Sequence, residues 1–197
     1  MNESGNNEVR KEQSLNSNNQ DPLKRIVLSQ IGTESQSSIN GRSSSTSNAL
    51  YVPWKNGSLY ENGYISKLSH SGELQWRKQI ADVNQITTAT DKDEKIYTAW
   101  SRNSYHTEET RGSFIAKLNP DNGEIVWKTE LESHNYIIND LHAVGNTLYA
   151  VGQYKGTKRP LFIAVNSNDG RLLWQKEVAA SDSTAFTEID SDGSNLY

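Results

Sequence analysis

The feature that most constrains this chain is a tryptophan that recurs at a nearly fixed interval. The stretches YISKLSHSGELQWRKQI, FIAKLNPDNGEIVWKTEL and LFIAVNSNDGRLLWQKEV align on Trp76, Trp127 and Trp174, which lie 51 and 47 residues apart. A repeat of this length is typical of solenoids, propellers and arrays, in which each copy is one supersecondary unit. The three stretches therefore predict equivalent units that stack on one another.

A second residue recurs in constant phase with the tryptophan. The segments ALY, KIY, TLY and NLY end on tyrosines that are 46, 52 and 48 residues apart: Tyr51, Tyr97, Tyr149 and Tyr197. Two anchors that repeat together define the unit better than either alone. We interpret them as fixed points of one repeated structure.

Each unit has the pattern of strands joined by turns. Residues 114–118 and 124–131 are rich in β-forming side chains, and the NPDNG turn between them predicts a hairpin. A glycine closes this turn in every copy, where a positive φ costs little without a Cβ: Gly72, Gly123 and Gly170. A second hairpin follows, so one unit holds about four strands, as a propeller blade does.

The tryptophan opens the last part of each unit. Its large ring is expected to pack against a neighbouring blade, and its indole N–H to need one acceptor. Upstream, RIVLSQIG at residues 25–32 resembles the ends of the units without the tryptophan, which predicts a lone outer strand. The sequence thus predicts an all-β protein, a β-propeller of four-stranded antiparallel blades with three complete blades and partial ones. About four blades are needed for closure, so we expect an incomplete propeller whose open edges can self-associate.

Composition divides the chain into two parts. Residues 1–24 are a polar leader, too poor in apolar side chains to fold, and residues 25–197 form the partial propeller. The net charge is −4 and residues of both signs are interspersed, so the sequence predicts no basic surface that would bind nucleic acid. No apolar run has the length of a membrane helix, so direct membrane insertion is not expected. The absence of cysteine excludes disulfides and thiolate chemistry.

Two families of bacterial propeller repeats resemble these residues. VGNTLYAVG at 144–152 and FIAKLNPDNGEIVW at 114–127 resemble the two halves of the seven-bladed SBBP repeat, and QIGTESQ at 30–36 resembles its strand end. IAVNSNDGRLLWQKEVA at 163–179 resembles the PQQ-like repeat of quinoprotein dehydrogenases and of the assembly lipoprotein BamB. Both resemblances imply blades, and neither implies one activity, because function is grafted onto folds.

The resemblance to quinoproteins implies pyrroloquinoline quinone (PQQ) and calcium. Many family members stack the quinone between a tryptophan and a vicinal disulfide, which a chain without cysteine lacks. Trp100 is the tryptophan to weigh for this role, because we expect it to have no counterpart in the other blades, where Gly152 holds the equivalent place. A single aromatic residue is weak support, and we therefore expect neither PQQ nor calcium.

Acidic turns are the only candidate metal sites. DSDG at 190–193, with Asp190 and Asp192, and TDKDE at 90–94 offer carboxylate oxygens of the kind calcium binds. The equivalent turn HAVGN has no carboxylate, which favours ordinary turn capping. The four histidines lack the close spacing of a metal site: His70, His106, His134 and His142.

The sequence favours a binding role. The insertion at 100–112 and its basic counterpart at 154–160 predict a polar rim on one propeller face. The leading hypothesis is a non-catalytic binding or scaffold domain of an exported bacterial protein, which holds a protein or a glycan through these loops. We expect export because the Asn-, Ser- and Gln-rich leader is typical of sequence that follows a removed signal or lipid anchor, although no signal sequence is visible in this chain. The expected location is the periplasm or cell surface, or that of a lipoprotein. Two alternatives stay open: a fragment of a PQQ-dependent dehydrogenase, and a non-functional product of a truncated gene.

Overall fold

The structure is a computed structural model that describes residues 37–39, 41–56, 62–83, 85–102, 112–131, 136–154, 159–178, 185–192 and 195–197. All of them lie in one unit, Ser35–Tyr197. Within these ranges the chain has no helix, and hence none that could cross a membrane. The predicted leader and the lone strand at 25–32 lie outside the described residues.

In the described ranges, thirteen strands form three antiparallel sheets. They are β1 (Ser37–Ile39), β2 (Ser44–Ser45), β3 (Leu50–Asn56), β4 (Asn62–Leu68), β5 (Leu74–Asp82), β6 (Gln85–Thr90), β7 (Ile96–Ser101), β8 (Ser113–Leu118), β9 (Ile125–Glu130), β10 (Tyr136–Val144), β11 (Thr147–Tyr154), β12 (Pro160–Asn166) and β13 (Leu172–Glu177).

Each sheet corresponds to one predicted blade. The second blade is β6-β7-β8-β9 and the third is β10-β11-β12-β13. The first blade is β3-β4-β5 with its inner strand divided in two, since β1 and β2 both pair with β3. The prediction of an all-β, unclosed array of four-stranded propeller blades is confirmed.

Burial explains why the middle strands are apolar on both faces. Every residue of β7 is buried, and so is every residue of β8 except Lys117. The outer strand β9 is instead largely exposed. Two buried clusters fill the space between successive blades. One, which includes Tyr51, Ile65 and Ile96, joins the first blade to the second, and the other, which includes Leu148 and Ile163, joins the second to the third. Removing each such side chain from water contributes roughly 1.5–3 kcal/mol.

The connections between strands divide between the two faces of the array. Tight turns join β6 to β7, β8 to β9, β10 to β11 and β12 to β13, and because neighbouring strands are antiparallel these turns lie at the same end of the blades. We call this end the turn face. The strand ends that lead from β3 to β4, from β7 to β8, from β11 to β12 and from one blade to the next lie at the opposite end, which we call the loop face.

Candidate functional site

The recurring tryptophan of one blade packs on the hairpin turn of the next. The indole Nε1 of Trp76 donates to the carbonyl oxygen of Pro120 at 3.0 Å, and that of Trp127 donates to the carbonyl oxygen of Ser167 at 3.3 Å. A Cβ added to Gly123 would lie 2.8 Å from the ring of Trp76, and φ at this glycine is 72°. The glycine therefore provides both the turn geometry and the space for the ring, which makes the pair a stacking device rather than a ligand site.

The recurring tyrosine completes this packing from within each blade. Its ring lies about 6 Å from the tryptophan ring of the same blade, at 6.0, 6.3 and 6.2 Å in the pairs Tyr51–Trp76, Tyr97–Trp127 and Tyr149–Trp174. Burial raises the pKa of Tyr97, and the nearby Asp91 carboxylate raises it further. The neutral phenol is thus the form that the fold favours.

The acidic turns use their carboxylates for turn geometry. The Oδ1 atom of Asp91 accepts from the backbone N–H groups of Asp93 and Lys95 at 2.9 and 3.0 Å, and its Oδ2 accepts from the hydroxyl of Tyr97 at 3.1 Å. Asp192 repeats the arrangement, because it accepts from the backbone N–H of Asn195 at 2.8 Å and from the Tyr197 hydroxyl. The carboxylate and the repeat tyrosine therefore form one capping motif.

The other metal candidates are dispersed. Asp190 is 72% exposed at its side chain, and its Oδ1 lies 3.6 Å from Nδ1 of His142. His70 is exposed in its turn, whereas His106 and His134 lie outside the described residues. In the part of the chain that the structure describes, no group of three His, Cys, Asp or Glu side chains is arranged to hold a metal ion.

The predicted polar rim falls largely outside the described residues, which omit 103–111 and 155–158. The strand ends that carry these two insertions are described. Ser101 pairs with Ser113, and Tyr154 donates its backbone N–H to the carbonyl of Arg159 at 2.9 Å. Both insertions therefore leave the blades on the loop face.

One sequence interpretation is wrong: Trp100 does have a counterpart. Trp54 pairs with Tyr64 across β3 and β4 as Trp100 pairs with Phe114 across β7 and β8, and both aromatic pairs are stacked, with ring centroids 4.4 and 5.2 Å apart. The third blade lacks an aromatic residue at this position. Gly152 stands there, and a side chain would not fit, because a Cβ would lie 1.9 Å from the carbonyl oxygen of Ile137. Trp100 is thus a buried part of the repeat, only 3% exposed.

The structure brings together a polar cluster that sequence reasoning did not single out. Each repeat tyrosine is paired with one residue of the inner strand of its blade: Ser44, Ala89, His142 and Asp190. The residue two positions before each of these partners is polar or charged. The four residues selected in this way are Arg42, Thr87, Asp140 and Glu188. We call them the axial cluster, since the inner strands face one another there.

The axial cluster contains a buried ion pair. Nη1 of Arg42 donates to Oδ2 of Asp140 at 2.6 Å, and the Asp140 side chain is 1% exposed while that of Arg42 is 48% exposed. Burial alone would lower the pKa of Arg42, but its hydrogen bond and charge interaction with Asp140, with smaller contributions from Glu188 and Asp190, raise it instead. Oδ1 of Asp140 is buried and has no hydrogen-bond partner within the described residues.

The cluster was recognisable in principle from the repeat. Counting back from each repeat tyrosine gives its members, but the interval is ten residues for Thr87 and nine for the other three. The pairing of Arg42 with Asp140, 98 residues apart, leaves no local sequence signal.

The stacked four-stranded blades and their tryptophan–glycine contacts define an array of β-propeller blades. A sequence profile described as outer membrane protein assembly factor BamB matches residues 61–195, more than half of the chain. The chain belongs to this family of β-propeller proteins. Among curated proteins, none matches the sequence.

Two solved structures illustrate the likeness. The quinohemoprotein alcohol dehydrogenase ADHIIG from Pseudomonas putida HK5 is 15% identical with a TM-score of 0.51, over 75% of this chain and 22% of that one. The β-propeller domain of the Trilobed protease from Pyrococcus furiosus is 14% identical with a TM-score of 0.49, over 73% of this chain and 44% of that one. The chain thus spans less than half the length of either, and at such identity the likeness concerns the fold.

Proposed function

We propose that this chain is a non-catalytic binding module that holds a protein partner on its loop face. The observation that carries the proposal is that the longest connection between strands, from β7 to β8, leaves the blades at this end, where the inner strands that bear the axial cluster also begin. Loops placed on a rigid scaffold are where binding residues concentrate. The turn face is occupied by the turns that receive the tryptophans, so it is less free to vary.

A protein is the favoured partner because of the family. The description of the matching family names a protein assembly factor of the outer membrane. The same description supports an exported location, in the periplasm or at the outer membrane, for this chain. A glycan held by the same loops is the other outcome of the binding experiment.

Trp100, the tryptophan considered for PQQ, does not offer a plane for the quinone. The quinone needs an exposed aromatic plane, and Trp100 is 3% exposed with its ring stacked on Phe114. The chain also has no cysteine for the disulfide that many quinoproteins place opposite that tryptophan. These residues support a binding role over a dehydrogenase role.

The binding proposal is tested by exchanging one face at a time. In the loop-face variant, residues 103–111 and 155–158 are replaced by Gly-Ser segments of equal length, and in the matched turn-face variant the exposed Lys92, Asp93 and Asn122 are replaced by serine. Each protein is cross-linked to a cell-envelope extract of the source organism, and captured proteins and glycans are identified by mass spectrometry. We expect the loop-face variant alone to lose the partner, by about tenfold or more in yield.

Three results would contradict the proposal. Equal loss in the two variants would mean that the loop face is not the binding surface. Oxidation of alcohols or sugars by the protein supplied with PQQ and calcium would establish the dehydrogenase alternative. A non-cooperative thermal melt of the wild-type chain would favour the non-functional product, and light scattering on the same sample would reveal self-association through blade edges.

A further inference from the structure

The inner strand of the third blade carries an extra residue. The pairing of β10 with β11 shifts between Ile138 and Asp140, so Asn139 has no opposite residue. A bulge of this kind bends the strand and re-aims neighbouring side chains. Here two successive polar side chains, Asn139 and Asp140, both reach segments of other blades.

Asn139 bridges two segments with its amide. Its Oδ1 accepts from Nε2 of Gln85, in the second blade, at 3.2 Å, and its Nδ2 donates to the carbonyl oxygen of Phe186 at 2.5 Å. Phe186 belongs to the stretch 185–190, which lies beside β10 as the next inner strand would. Asn139 thus binds the segments on both sides of β10, the second blade through Gln85 and the stretch 185–190 through Phe186.

Asp140 makes a second bridge with a single oxygen. Its Oδ2 accepts from Nη1 of Arg42 at 2.6 Å and from the backbone N–H of Ile189 at 3.0 Å. Ile189 is 2% exposed and Asp140 is 1% exposed at its side chain. The bond to Ile189 therefore lies in a place that water does not reach.

A buried carboxylate is stable only when a countercharge and hydrogen bonds compensate its loss of hydration. Arg42 supplies that charge, with a guanidinium that stays half exposed. Without it, Asp140 would regain water only if the surrounding segments opened. The stretch 185–190 is the segment that its Oδ2 holds directly.

We propose that the bulge at Asn139 and Asp140 is a clamp that fixes residues 185–190 against the third blade, and that Arg42 of the first blade is the positioning residue that keeps the clamp closed. The order of residues 185–190 then depends on a residue of the first blade, which acts through its ion pair with Asp140 and through its charge interaction with Glu188 and Asp190. This coupling is independent of what the loop face binds.

Hydrogen exchange of the Ile189 amide tests the clamp. Relative to wild type, Arg42→Gln is expected to lower the protection of this amide by about tenfold or more, because hydrogen bonds to charged groups contribute roughly that much. Arg42→Lys keeps the charge and should keep part of the protection. The matched control is Arg159→Gln, which removes an exposed pair with Glu177 at 3.8 Å and should change the protection less than about twofold.

A double variant separates the clamp from simple damage. In Arg42→Gln with Asp140→Asn, the neutral amide needs no countercharge and its oxygen can still accept from Ile189, so protection should recover above that of Arg42→Gln alone. The proposal is overturned if Arg42→Gln behaves like Arg159→Gln, or if the double variant is no better than the single one. If Arg42→Gln does not fold, recovery of folding in the double variant supports the clamp, and failure of both overturns it.

Discussion

The indole N–H of Trp76 donates to the backbone carbonyl of Pro120, 3.0 Å away on the turn of the next blade. The ammonium of Lys67 donates to the same oxygen at 2.9 Å. This one carbonyl oxygen thus accepts two hydrogen bonds from the preceding blade. These bonds join two blades whose strands do not pair with each other. Contacts of this kind make the stability of the array depend on single residues in its turns.

Replacing Gly123 with alanine should destabilise the protein by about 2–5 kcal/mol. The added Cβ would meet the Trp76 ring at 2.8 Å, and φ at this position is 72°. The left-handed backbone costs about 1–2 kcal/mol and overpacking about 1–3 kcal/mol. Gly145→Ala is the control, since φ there is 57° with no atom within 4 Å, so it should cost only the backbone part. Urea unfolding followed by tryptophan fluorescence measures both, and equal losses would contradict the packing argument.

Trp127→Phe should cost about 1 kcal/mol more than Trp174→Phe. Trp127 donates its indole N–H to the carbonyl of Ser167 at 3.3 Å, whereas Trp174 has no acceptor within the described residues. A net hydrogen bond contributes about 0.5–1.5 kcal/mol. The same urea titrations give the comparison, and a larger loss for Trp174→Phe would disprove it.

Ala116→Ser should stabilise the protein by about 0.5–1.5 kcal/mol. The indole N–H of Trp100 is buried without a partner in the described part of the chain, while the equivalent Trp54 donates to the hydroxyl of Ser66 at 3.0 Å. Ala116 occupies the position of Ser66 in the second blade, opposite Thr98 as Ser66 is opposite Val52. A serine there would supply the missing acceptor.

Ser66→Ala is the reciprocal test of that interpretation. It should leave the buried Trp54 N–H unsatisfied and cost about 1–3 kcal/mol. Thermal unfolding of both variants decides the matter. If Ala116→Ser lowers the melting temperature, the hydroxyl does not reach Trp100.

Stability should fall as the pH rises above about 10. Burial, and then the charge of Asp91, raise the pKa of Tyr97 above its ordinary value of 10.0. The unfolded chain therefore loses this proton at a lower pH than the folded chain, so the contribution is fully present below pH 10 and is lost as the pH rises. Tyr97→Phe should make the decline in unfolding free energy between about pH 9 and 11.5 shallower, and an unchanged slope would count against a buried neutral phenol.

The repeat anchors were predictable because they recur. Trp76 and Tyr97 each have equivalents in successive units, so a phase shared by two residues was enough to define blades and strands. The equivalence of Trp54 and Trp100 was missed, although both lie three residues after the repeat tyrosine. Gly152 interrupts the pattern in the third blade, so the position is aromatic in only two of the three blades.

The axial ion pair was not predictable for a different reason. Arg42 and Asp140 lie in the first and third blades, and although each precedes a repeat tyrosine by nine residues, the repeat does not indicate that these two side chains meet. The bulge at Asn139 shifts the register by one residue, and a local shift of this kind follows from contacts with neighbouring blades. The two insertions were correctly assigned to connections between strands. The repeat gives no information on the ligand that they would hold.

The separation of the two faces has an evolutionary consequence. On the turn face, an insertion would move Pro120 or Ser167 away from the tryptophan that donates to it, so the length of those turns is constrained by stacking. On the loop face, the connection after Ser101 can grow or shrink while the hairpin that carries it keeps its register. New recognition properties can therefore accumulate at one end of the protein without a penalty in the assembly of the other.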